Sequence, residues 1–174
     1  MRTISSLSNL DAGSQEQKVH YLMIEDDEDK ARTVQEFIRT HYPSSSCSIA
    51  KSLNGGLRAL ISGQGTVDLV LMDMSMPNYD VTPDEPSGGT PESFAGQELL
   101  AQMKLRGIEI PVIIITMFDK FGEKKGKISL EQLAHNLHTE YGKTYKGYVY
   151  YNAAQEGWKP SLRKLIDAHM KEQS

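Results

Sequence analysis

The chain has 174 residues, 39% of them hydrophobic and 24% charged, a globular composition that suits one domain with its own core. Its net charge of -4 supplies no basic stripe for nucleic acid, and no apolar run approaches the roughly 20 residues that span a bilayer. Cys47 is the single cysteine, which excludes an internal disulfide and points to a reducing, cytoplasmic compartment.

Met1 to Gln17 is rich in Ser, Asn and Gln and has no continuous apolar core, so it reads as a flexible tail and not as a signal peptide. The domain then runs over 18–174. Val19–Ile24 reads as the first strand. Glu28–His41 is a helix with Ala31, Val34, Phe37 and Ile38 at helical spacing, ended by Tyr42-Pro43. Ser48–Ala50 is a weak strand, Leu53–Ile61 a short helix closed by Gly63, and Val67–Met72 a third strand. Asn78–Ala95, with Pro83, Pro86 and Pro91 and the acids Asp84 and Glu85, is longer than loops in compact domains usually are and reads as a solvated insertion. Gly96–Leu105 is a helix and Pro111–Ile115 a β-branched strand. Phe118–Lys127 is a polar Gly- and Lys-rich stretch. Ser129–Tyr141 is a helix with Ser129 as N-cap, Tyr148–Tyr151 a fifth strand, and Pro160–Met170 a last helix with Pro160 in its first turn. Strands alternating with helices imply an α/β fold with a parallel sheet covered on both faces.

Two of the apolar runs end in acid. Tyr21-Leu22-Met23-Ile24 leads into Glu25-Asp26-Asp27, and Leu69-Val70-Leu71-Met72 leads into Asp73. Ligands of open α/β sheets bind outside the carboxyl ends of the strands. Carboxylates gathered there need a cation, and an all-oxygen donor set suits Mg²⁺.

In order along the chain, these features resemble the receiver domain of two-component response regulators. Glu25-Asp26 resembles the acidic pair after the first strand, Asp73 the phosphoacceptor aspartate, and Met76-Pro77 the dipeptide that follows it. Gly96-Gln97-Glu98-Leu99-Leu100 resembles the start of the third helix, Ile113-Ile114-Ile115-Thr116 the strand ending in Ser or Thr, and Gly147-Tyr148-Val149 the strand with an aromatic switch. The resemblance implies a flavodoxin-like, doubly wound (βα)5 sheet in the order 2-1-3-4-5, with an enlarged loop after strand 3 and an enlarged region between strand 4 and helix 4. It implies Asp73 as nucleophile toward a phosphoryl group, with no enzymatic turnover beyond autodephosphorylation. Mg²⁺ would be held by Asp26, Asp73 and the Ser75 backbone carbonyl, and by Glu25 through water. Thr116 would hydrogen-bond the phosphoryl oxygens and Tyr148 would change its burial in response. The implied partners are a sensor histidine kinase or phosphotransfer protein and a downstream protein, with no nucleic acid and no membrane. The surface around the fourth and fifth helices, used by many relatives to dimerise, is altered here by Phe118–Lys127, which leaves a homodimer open.

One position departs from the pattern. Where the family has a lysine near the end of the fifth strand, this chain has Tyr151, a phenol without positive charge at neutral pH. Lys159-Pro160 lies downstream and Lys146 before the strand. Two readings follow: a single-domain phosphoacceptor, or a pseudo-receiver that binds a partner and is never phosphorylated.

Competing motifs are weaker. An EF-hand register over Phe121–Gln132 would put Phe121, Lys125 and Gln132 at ligand positions, which do not form the oxygen-rich set Ca²⁺ needs. His135 and His138 lie one helical turn apart without a third ligand in view. Asp73-Met74-Ser75 also resembles the haloacid-dehalogenase nucleophile strand, but Ser75 stands where that family has a second aspartate.

Overall fold

The computed structural model describes residues 18–84, 86, 94–122 and 126–172; the expected tail, Glu85 and much of the insertion lie outside them. The elements are β1 (His20–Ile24), α1 (Glu28–His41), β2 (Ser46–Ala50), α2 (Leu53–Ser62), β3 (Leu69–Met72), α3 (Ala95–Leu105), β4 (Val112–Thr116), β5 (Lys120–Phe121), β6 (Ile128–Ser129), α4 (Leu130–Tyr141), β7 (Tyr145–Tyr150) and α5 (Trp158–Glu172). Five strands form one parallel sheet in the order β2-β1-β3-β4-β7. This is the doubly wound, flavodoxin-like arrangement, with β7 as the fifth strand.

Alternating strand residues feed two apolar layers. Leu22, Ile24, Val70, Met72, Val112 and Ile114 face the layer packed by α2, α3 and α4. Tyr21, Met23, Leu69, Leu71, Ile113 and Ile115 face the layer packed by α1 and α5. Burial on both faces explains why these strands are continuous apolar runs. A buried Leu, Ile or Met side chain contributes about 1.5–3 kcal/mol of transfer free energy, so the strands anchor the loops that follow them.

Local chemistry sets the helix starts. Asp27 caps α1, accepting the N–H groups of Asp29 and Lys30; Ser52 caps α2 through the N–H of Gly55; Ser129 caps α4 through that of Gln132. Gly96 allows α3 to start against β3, since a Cβ there would meet the Asp73 carbonyl oxygen at 2.8 Å.

Both enlarged segments acquire structure that the sequence reading left out. The start of the insertion is strapped to α2. Leu53 and Asn54 donate backbone N–H groups to the carbonyls of Pro77 and Asn78, each at 3.0 Å, and the Ser52 hydroxyl donates to Asp80 Oδ1 at 2.7 Å. The Phe118–Lys127 stretch, read as a plain polar connection, contains β5, which pairs with β6 just beyond the stretch in a small antiparallel hairpin. Phe121 is its buried anchor and stands 6.2 Å, ring to ring, from Phe94 at the far end of the insertion.

Candidate functional site

β1 and β3 are direct neighbours in parallel register, Ile24 beside Met72, so the residues after them emerge side by side. The Asp73 N–H donates to the Ile24 carbonyl at 3.0 Å and the Glu25 N–H to that of Ala50 at 2.9 Å, fixing the backbone one residue past each strand. Carboxylate oxygens of Glu25, Asp26 and Asp73 consequently lie within 4.8 Å of one another. Glu25 and Asp73 are buried and Asp26 stands exposed at the rim. Asp73 Oδ1 accepts the Met74 N–H at 2.7 Å, and Glu25 Oε1 accepts that of Asp27 at 3.0 Å.

A cation sits among them. Lys30, only 2% exposed, places its Nζ 2.6 Å from Glu25 Oε2 and 3.2 Å from Asp73 Oδ2. Burial pushes the Glu25 carboxyl up to about 7, opposed by the Lys30 ammonium and reinforced by the Asp73 charge. Asp26 is also raised, chiefly by desolvation, with Asp73 adding to it. One ammonium cannot neutralise three carboxylates, so the cluster retains excess negative charge at the mouth of the sheet. The donors are all oxygen, and that set with uncompensated charge fits Mg²⁺.

Thr116 ends β4, the strand beside β3, and is fully buried. It therefore leaves the sheet at the same end as Asp73. Its hydroxyl oxygen accepts the Phe118 N–H at 3.2 Å, and its carbonyl accepts the Tyr151 N–H at 2.8 Å. Tyr148 is half-buried against the α2–α3–α4 layer, whereas Tyr151 is buried in the α1–α5 layer, 5.1 Å from the Trp158 ring. Ser75 is half-buried, two residues beyond Asp73. His135 and His138 are both exposed; among the described residues, Glu25, Asp26 and Asp73 form the one group with ligands close enough to share an ion.

No protein-family model matches the sequence. Over 145 residues the chain is 33% identical to the Detocs response regulatory protein DtcB of Enterobacter cloacae (strain JD6301), a match covering 83% of this chain and 96% of that protein. The chain belongs to the response-regulator receiver family. It is also 31% identical over 144 residues to the uncharacterised protein y4jR of Sinorhizobium fredii (strain NBRC 101917 / NGR234), covering 82% and 93% of the two chains. Among solved structures, the receiver domain protein from Clostridium thermocellum superposes with a TM-score of 0.62 at 17% identity, over 89% of this chain and 96% of that one. The phosphorylated cyanobacterial phytochrome response regulator RcpA gives 0.58 at 16%, over 88% and 94%. At these identities the structural likeness carries the fold.

For this receiver, sequence reasoning missed Lys30, although a signal was present. Lys30 precedes Val34 by four residues and Phe37 by seven, the spacing that puts all three on the inner face of α1. The two lysines considered in place of Tyr151 do not fill the site. Lys159 pairs with Glu156 at 2.7 Å and lies over the Trp158 ring at 5.8 Å. Lys146 belongs to the first half of β7, at the opposite end of that strand from Tyr150.

Proposed function

We propose that this receiver is a phosphoacceptor switch that takes a phosphoryl group onto Asp73 from the phosphohistidine of a sensor kinase or phosphotransfer protein. In that transfer the imidazole N–P bond breaks, an Asp73 Oδ–P bond forms, and the departing imidazole nitrogen regains a proton. The observation that carries the reading is the convergence of Glu25, Asp26 and Asp73 within 4.8 Å on strand ends that no local motif alone would bring together.

Asp26, Asp73 and the Ser75 carbonyl would hold Mg²⁺, with Glu25 reaching it through water. The ion would supply neutralisation of phosphoryl charge. Asp73 is positioned for attack by its Met74 N–H contact and by the Gly96 approach behind it. The Thr116 oxygen already accepts from Phe118, which leaves its O–H to donate to a phosphoryl oxygen. Because Phe118 leads directly into β5, a shift of Thr116 is felt in the hairpin, and Tyr148 on the adjoining strand carries it to the α4 face. The output is a phosphorylation-dependent protein contact, and Asp73 would release the phosphoryl group by slow autodephosphorylation.

The test is incubation with acetyl phosphate and Mg²⁺ followed by intact-mass measurement. Wild type gains one phosphoryl mass; Asp73→Ala gains none. A wild type that gains no mass, or an Asp73→Ala that still does, overturns the reading.

A further inference from the structure

Lys30 occupies a position that helix energetics disfavours. It is the third residue of α1, in the turn where the helix dipole favours acids and where Glu28 and Asp29 do stand. Its side chain is 2% exposed, and an ammonium is costly to bury unless other groups hold it there. A residue that breaks a local rule this way marks a constraint from elsewhere in the fold.

The surroundings name the constraint. Nζ lies between Glu25 and Asp73 at 2.6 and 3.2 Å, and 6.0 Å from the centroid of the Tyr151 ring, within reach of a cation–π contact. An ammonium carries three N–H donors, so two carboxylate contacts leave one for an incoming group. Its backbone is pinned as well, because the Lys30 N–H donates to the Asp27 cap at 2.9 Å.

We propose that Lys30 is the phosphoryl-binding cation of this receiver, delivered from helix α1 and seated over the Tyr151 ring. This rests on Asp73 being the acceptor. In the resting state Lys30 is shared between Glu25 and Asp73. As the Asp73 carboxylate becomes a phosphoaspartate, the added negative charge draws Nζ away from Glu25 and onto the phosphoryl oxygens. Tyr151 fills the space beneath, and its contact with Trp158 makes the single tryptophan a reporter of that movement.

The experiment measures the initial rate of labelling by acetyl phosphate at saturating Mg²⁺, with folding followed by circular dichroism. Lys30→Met should label on the order of 100-fold more slowly than wild type, the scale of losing one charge-stabilising donor. Lys30→Met with Tyr151→Lys should recover much of that loss, because a lysine one residue past β7 then reaches the same place. Lys30→Met labelling as fast as wild type overturns the inference while leaving the acceptor reading intact; a folded wild type that takes no label overturns both. If Lys30→Met does not fold, lysine-selective ¹⁵N NMR of wild type with beryllofluoride and Mg²⁺ decides. The buried Nζ signal, assigned by Lys30→Arg, should shift on binding, and an unmoved signal overturns the inference.

Discussion

Two charged clusters stand at the carboxyl end of this sheet, and they behave as different materials. Lys30 with Glu25 and Asp73 is sealed, its side chains 2–4% exposed. Arg58 with Asp80 straps the insertion to α2 in the open, with Arg58 73% and Asp80 47% exposed, beside the buried Ser52 hydroxyl that also reaches Asp80. Distances are comparable: Arg58 reaches Asp80 at 3.1 Å, much as Lys30 reaches Asp73. Burial separates them. In the sealed cluster each charge loses its water and depends on its partners, so adding charge moves something; in the open one, solvent screens any change.

The largest test of that contrast is stability. Removing one partner of a buried pair costs about 3–5 kcal/mol, so Lys30→Met should unfold well below wild type in EDTA. Mg²⁺ should restore much of the loss by neutralising the same carboxylates, shown by thermal melts with and without the ion. A Lys30→Met melt unaffected by Mg²⁺ would mean that the carboxylates do not bind it.

Next comes a pH effect. Burial raises the Glu25 carboxyl to about 7, so protons compete with a cation there over the range below that value. Mg²⁺ affinity by calorimetry should fall as pH drops through 7 toward 5, more steeply than in Glu25→Gln. Parallel profiles for the two proteins would remove Glu25 from the metal site.

The open cluster gives the smallest effects. Ser52→Ala removes both the α2 cap and the Asp80 contact and should cost ~1 kcal/mol in urea denaturation. Arg58→Ala should cost about 0.5 kcal/mol or less, shrinking further in salt. An Arg58 loss as large as that of Lys30 would erase the distinction.

Much of this was legible in the chain. Helix α1 runs over Glu28–His41 as its pattern predicts, because Asp27 caps it and Tyr42-Pro43 stops it, both short-range effects. The acidic strand ends were equally plain, and the fold places Glu25, Asp26 and Asp73 together. What escaped depends on contacts distant in sequence. β7 begins at Tyr145, earlier than its aromatic run suggests, because Val112 pairs with Tyr145 across a register shift. The hairpin β5–β6 has two-residue strands that no periodicity can reveal; it is held by Phe121 against Phe94. Lys30 carried the right helical phase, but a lysine on an inner face reads as an exception until its two acidic partners, from separate strands, are seen around it.

The most direct measurement is to locate the phosphoryl group itself. Wild-type protein treated with acetyl phosphate and Mg²⁺, then reduced with borohydride, should yield homoserine at position 73 in tandem mass spectra, since reduction marks an acyl phosphate where it formed. Homoserine at Asp73 alone is the predicted result; modification at Asp26 or Asp27 instead, or at no carboxylate, would contradict the account.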